Sequence, residues 1–235
     1  MKMRALIIFP VLIFMLAGIE RPEATLHGAW RMQVGSADVI MNIQDGYLSH
    51  ASFDKAGKIF YQTRGGSFQV KNKKVILLYE FSSSEKEQVG KTIEYTYSFD
   101  DNNLIWEYNG IRETWKRIDD NKQPLAGVWR ISSRMQEGKI NPMNPGPRKT
   151  LKILSANRFQ WFAINTGTKE FFGTGGGTYT FSNGKYTENI EFFSRDSSRV
   201  GASLQFDGNL SGNTWIHKGM SSRGELIHEE WTRIH

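Results

Sequence analysis

Leu26-His27-Gly28-Ala29-Trp30-Arg31 opens one segment of the chain, and Leu125-Ala126-Gly127-Val128-Trp129-Arg130 opens another. Each segment closes on a matching stretch, Glu113-Thr114-Trp115-Lys116-Arg117-Ile118 and Glu229-Glu230-Trp231-Thr232-Arg233-Ile234. Between opening and close, Gly65-Gly66-Ser67-Phe68 is answered by Gly176-Gly177-Thr178-Tyr179. Three matches in one order read as two copies of one domain. The organisation that follows is a signal segment over 1–24, a first domain over 25–119, a linker over 120–124 and a second domain over 125–235.

The class is all-β. No proline falls between Glu23 and Gln123 or after Pro147, and proline is expelled from paired strands because it cannot donate to the ladder. Short runs of Val, Ile, Thr and aromatics recur between Gly, Asn and Asp turns, of which Asn183-Gly184 is the strongest hairpin signal. Both glycine-rich stretches fall between strand assignments, and Gly173 to Gly177 reads as a bulge or sharp bend between strands. They separate 58–63 from 67–70 in the first copy, and 170–173 from 177–182 in the second. About eight short antiparallel strands per copy have exposed edges, and closing each sheet into an up-and-down barrel removes them. Most of the extra length of the second copy lies between Arg130 and Gly176. It includes a loop from Asn141 to Pro147 with three prolines.

A Gly-x-Trp at the first strand, answered by an Arg at the last, resembles the lipocalin and fatty-acid-binding (calycin) superfamily. The resemblance implies that the Trp plugs one end of the barrel and the Arg lies over its ring, here Trp30 with Arg117 and Trp129 with Arg233. The second copy is also similar to lipocalin-like domains of secreted bacterial proteins of unknown function. The stretches 158–162, 173–179 and 186–192 carry that likeness. One departure is that typical lipocalins carry a helix after the last strand, whereas this sequence stops at His235.

The N-terminus reads as a secretory signal: Lys2 and Arg4 precede an apolar run from Ala5 to Gly18, short for a membrane span. Cleavage after Gly18 or Ala24 is expected, although neither has a clean pair of small residues, with an uncleaved N-terminal anchor helix as the alternative. The expected destination is secreted or periplasmic, with no membrane span after processing. Leu16-Ala17-Gly18 is followed by Ile19 where a lipoprotein needs Cys, and the chain has no Cys at all. That excludes Cys-linked lipid, disulfides and thiolate metal sites. The formal charge of +6 is modest and dispersed, so no nucleic-acid stripe is expected.

No catalytic set stands out. Gly173 to Gly177 fails as a phosphate loop because Thr178 replaces the needed glycine and a strand follows. The five histidines show no metal-ligand spacing, and no cofactor is expected. His217 and His228 fall on neighbouring strands, where a cross-strand pair on the outside is the ordinary account. Glu188 and Glu191 point to opposite faces. Glu188 shares its face with Tyr186, Ile190 and Phe192 by alternation, and inside the barrel it would be a buried carboxylate needing a partner. Phe159, Trp161 and Ala163 alternate with Gln160, Phe162 and Ile164, one set lining the barrel and the other free to pack on the sister domain.

The expected function is binding without catalysis. A small apolar or amphipathic molecule would sit in the second barrel against Trp161, Tyr179, Phe192 and Trp215, with Glu188 or His217 as polar anchors. One alternative is a structural, partner-binding protein with filled barrels. Another is a calycin-type enzyme, which requires Glu188, Glu191, Tyr186, His217 or His228 to converge in one cavity.

Overall fold

The computed structural model describes residues 26–120, 122–221 and 223–234; the expected signal segment lies outside them. Strands β1 (Gly28–Val34), β2 (Ala37–Gln44), β3 (Tyr47–Asp54), β4 (Ile59–Lys71), β5 (Lys74–Ser82), β6 (Thr92–Asp100), β7 (Asn103–Tyr108) and β8 (Ile111–Arg117) form one closed antiparallel barrel in sequence order. A second follows in β9 (Gly127–Gln136), β10 (Lys139–Pro142), β11 (Arg148–Leu154), β12 (Arg158–Asn165), β13 (Glu170–Ser182), β14 (Lys185–Phe193), β15 (Ser203–Ser211), β16 (Thr214–Met220) and β17 (Leu226–Ile234). Here β9 pairs with β17 to close eight strands, and β10 hangs on β9 as an added hairpin arm. Helix among the described residues is limited to single turns at Lys86–Gln88 and Ser197–Arg199, and none is long and apolar enough to cross a membrane.

Local chemistry explains the hairpins. Asn183 and Gly184 both have positive φ, 50° and 70°, as the tight two-residue turn between twisted strands requires. The Pro-rich insertion, expected to be a loop, begins as β10, with Pro142 on the sheet edge where its missing N–H leaves no gap in a ladder.

The glycine stretches do not divide the strands as expected, although the bulge expected at Gly173 to Gly177 is present. β4 and β13 each run through as 13 residues. Each carries a bulge at its glycine pair, Gly65/Gly66 against β5 and Gly176/Gly177 against β14. A Cβ on Gly66 would lie 1.9 Å from the Leu78 carbonyl oxygen, and one on Gly177 2.0 Å from that of Asn189. Backbones therefore approach here as only glycine allows. Each bulge also reverses the alternation of the partner strand. Tyr79 and Ile190 face into their barrels, whereas Phe81 and Phe192 face out.

Both barrels close on a Trp–Arg clasp. Arg117 lies 4.0 Å over the buried Trp30 ring, and Arg233 lies 4.3 Å over Trp129. A desolvated contact of this kind is worth about 2 kcal/mol. The indole N–H groups donate to Leu26 and Leu125 carbonyls at 2.9 and 2.8 Å. The seams differ in length. β1 meets β8 only at Trp30–Arg117 and Arg31–Lys116, while β9 and β17 pair from Val128–Ile234 to Arg134–Glu229.

The barrels pack outer face on outer face. Phe162 stacks on Phe81 at 4.3 Å, and Phe192 stacks on Phe53 at 4.6 Å. Glu80 receives Lys149 of the other barrel at 2.5 Å and Tyr47 at 3.0 Å. Glu191, one residue before Phe192 as Glu80 is before Phe81, receives Lys55 of the other barrel at 3.1 Å and Arg158 at 2.6 Å. At the centre Gln160 donates to Thr63 at 2.8 Å and Thr174 at 3.1 Å, so this buried amide is satisfied. Each barrel offers the equivalent region, with Glu80-Phe81 answering Glu191-Phe192, so the interface is pseudo-two-fold in placement, although Ala51 stands where Phe162 does.

Candidate ligand site in the second barrel

The second barrel encloses a cavity of about 470 Å³ that opens at one end. Its walls include Trp161, Ala163, Ile190, Phe193, Leu204, Phe206 and Trp231. Its floor is charged. Lys152 on β11 is 3% exposed and pairs with Glu188 on β14 at 2.7 Å. Four rings surround its ammonium: Trp231 at 5.0, Trp215 at 5.1, Tyr186 at 5.3 and Phe159 at 5.7 Å. Tyr186 donates its hydroxyl to the same Glu188 oxygen at 2.9 Å, and burial, with Glu188 beside it, pushes the phenol well above its ordinary pKa. Charges this deep survive only when paired and hydrogen-bonded.

A second polar pair stands beside the first. His217 on β16 is 2% exposed, stacked on Phe206 at 4.8 Å, and its Nε2 meets Glu229 at 2.9 Å. Arg134 donates twice to the other Glu229 oxygen, at 3.0 and 2.6 Å. Burial favours the neutral acid at Glu229. The His217 hydrogen bond and the charges of Arg134 and Lys152 outweigh it and hold the carboxyl at about 2. Burial lowers His217, so its ring is neutral near pH 7. A carboxylate can only accept. Nε2 therefore carries the proton, and Nδ1, with no partner among the described residues, is left as an acceptor.

The mouth is lined by arginines from separate segments: Arg134 on β9, Arg148 on β11, Arg195 and Arg199 after β14, and Arg223 between β16 and β17. The insertion lies between Arg134 and Arg148, so it stands at this opening. Its Gly146 carbonyl receives Arg130 at 2.7 Å.

The residues expected at a ligand site divide. Trp161, Glu188 and His217 line the cavity. Trp215 is buried beneath it against Lys152 and Trp129. Tyr179 lies in the core, its hydroxyl donating to the Ser155 carbonyl at 2.6 Å. Phe192 is a correction. The bulge at Gly176/Gly177 turns it out of the barrel and onto Phe53, and Phe193 takes a place on the wall. Glu191 is also outside, and His228 sits on the opposite strand face from Glu229, paired across from Lys218. The expected His217–His228 pair is therefore not formed; His217 meets Glu229.

Lys152, Glu229 and Arg134 were missed from sequence. Glu229 had a signal: it is two residues before Trp231 on one strand, so both share a face. Lys152 had none until its register partner, Trp129, was known to point inward. Among the described residues no group of three or more His, Asp or Glu could hold a metal ion.

The second barrel matches the family model of a domain of unknown function (DUF4488). The match spans residues 124–235, the whole of β9 to β17. No curated protein matches the chain. The charged floor falls entirely within the DUF4488 match, whereas the first barrel has apolar residues at three of its four positions and keeps a carboxylate, Glu113, only at that of Glu229. Across from the Trp plugs, Met41 stands where Lys152 does. Leu77, opposite Phe68, stands where Glu188 does opposite Tyr179. Trp106, opposite Glu113, stands where His217 does opposite Glu229. The first barrel has its own cavity, about 300 Å³, lined by His50, Arg64, Tyr79, Tyr95 and Glu113 among others.

Proposed function

We propose that the chain is an exported, lipocalin-like binding protein whose second barrel holds a small amphipathic molecule without transforming it. One observation carries this reading. The DUF4488-matching barrel buries Lys152, Glu188 and His217, with Glu229, at the floor of an open cavity, whereas the sister barrel has the apolar Met41, Leu77 and Trp106 at the positions of the first three. A buried ion pair rarely improves on well-packed apolar residues for stability. Its presence beside an apolar cavity instead supplies the few placed polar groups of a ligand pocket. The export half of the reading rests on the sequence of residues 1–24.

Native mass spectrometry of protein purified from its host tests this. The expected result is a bound small molecule that stays with the second barrel and is lost in the variant Ala163→Trp, which fills the cavity. Apo protein throughout, together with no binding across a panel of lipids and sugars, would sink it. A second reading, chemistry by His217, has Glu188 and His217 lining one cavity behind it, with Tyr186 hydrogen-bonded to Glu188 beneath. Release of an altered rather than intact molecule would favour it.

A further inference from the structure

We infer that the ligand of the second barrel is an amphipathic acid held head outward, its anionic group among the mouth arginines and its apolar body on the inner walls. This rests on the reading of that barrel as a ligand receptor. Arg148, Arg195 and Arg223 come from three separate segments and converge on one opening. Arg134 and Arg199 are paired with Glu229 and Asp196, but none of these three makes an ion pair among the described residues. Arg148 lies over Phe172 at 4.7 Å. A stacked guanidinium keeps its in-plane N–H donors available for a carboxylate, sulfonate or phosphate.

The charge surplus belongs to this cavity and not to the fold. Its lining carries five arginines and Lys152 against Glu188, Glu225 and Glu229. The lining of the first barrel's cavity carries Arg64 against Glu85 and Glu113. The same scaffold thus presents an excess of opposite sign, and low-dielectric walls concentrate each field.

Orientation follows from the floor. Lys152 already has Glu188, and Glu229 already has His217 and Arg134. An anion driven to the floor would meet two carboxylates whose cations are engaged. At the mouth it meets free guanidinium groups. The floor still offers groups with no partner among the described residues, the His217 Nδ1 acceptor and the indole N–H donors of Trp215 and Trp231, which suit a neutral polar group such as a hydroxyl on the buried end of the ligand.

The test uses two probes with one aromatic body: 8-anilinonaphthalene-1-sulfonate and N-phenyl-1-naphthylamine, which lacks the sulfonate. Fluorescence titration of the full chain should show the sulfonate binding about tenfold or more tighter at low salt, the scale of one charge-assisted hydrogen bond. Added salt should narrow the gap. The triple variant R148A/R195A/R223A should erase it by weakening the sulfonate alone. Equal affinity of the two probes, or a sulfonate preference that survives the triple variant, would overturn the acid inference and leave the receptor reading intact. Failure of both probes to bind, or binding of both unchanged in Ala163→Trp, would instead remove the receptor reading.

Discussion

The two barrels share a plan and differ in what they bury. Both have eight strands, a Trp–Arg clasp and a glycine bulge at matching places. The first uses Met41, Leu77 and Trp106 where the second uses Lys152, Glu188 and His217. A barrel of this size holds together with either set. The polar set is therefore no requirement of the fold, and the comparison separates what the architecture needs from what the second cavity adds.

The largest effect that would break the comparison is expected at Lys152. Lys152→Ala leaves Glu188 buried without its cation and should cost the second barrel about 3–5 kcal/mol, read by urea unfolding. Restoring the first barrel's residues with K152M/E188L should recover most of that loss while weakening ligand binding. If the double variant stays as unstable as the single one, the network is structural and the argument from the sister barrel fails.

Next in size is the face the barrels share. Phe162→Ala or Phe192→Ala should each cost roughly 3 kcal/mol, the low end for a buried ring. Either should also split one unfolding transition into two. A single transition in both variants, followed by differential scanning calorimetry, would show that the barrels are coupled elsewhere, through Asp119 for example. Asp119 accepts from the Ala29 N–H at 2.9 Å and from the Asn157 N–H of the other barrel at 3.2 Å.

Acid sharpens the contrast further. Burial and the nearby Arg64 charge lower His50 to about 3. An unfolded histidine takes its proton near pH 6.5. The first barrel should therefore lose stability as pH falls from about 6.5 toward 3, by up to about 1.4 kcal/mol per pH unit. His217 is also lowered by burial, but the Glu229 hydrogen bond opposes that. Glu229 itself begins to withdraw stability only below about pH 4.3, the unfolded carboxyl value, with the loss running down to its folded value near 2. Between pH 6.5 and 4.5 the first barrel should soften more than the second, measurable by amide hydrogen exchange. Equal softening would refute the offset that the Glu229 hydrogen bond gives His217.

The smallest expected difference lies in the two cross-barrel ion pairs. Lys149–Glu80 is the more buried, with side-chain exposures of 18% and 15% against 54% and 13% for Lys55–Glu191. Lys149→Ala should cost about 1 kcal/mol and Lys55→Ala a few tenths, as for a screened pair.

Much of this was legible in the sequence. The repeated opening and closing stretches place the first and last strand of each barrel, and the absence of proline marks where sheets lie. Alternation puts Trp161 and Ala163 on one face and Phe162 and Ile164 on the other, and the structure has the first pair in the cavity and the second toward the sister barrel. Phe192 was not legible, because one extra residue at a bulge inverts every side chain beyond it. The charged floor was only half legible. Glu188 could be read as a buried carboxylate in need of a partner, but its partner Lys152 lies on a strand distant in sequence, and pairing register is what brings them together.

The glycine bulge has one more consequence. By turning Phe81 and Phe192 outward at equivalent places, it gives each half of the chain an outer ring that the other half covers. Here the joining segment raises the local concentration of one half around the other to about the millimolar range. A contact too weak to hold free domains together at cellular concentrations can therefore stay closed in this chain. Cleaving the peptide between Asp119 and Pro124 would leave two barrels whose association depends on dilution.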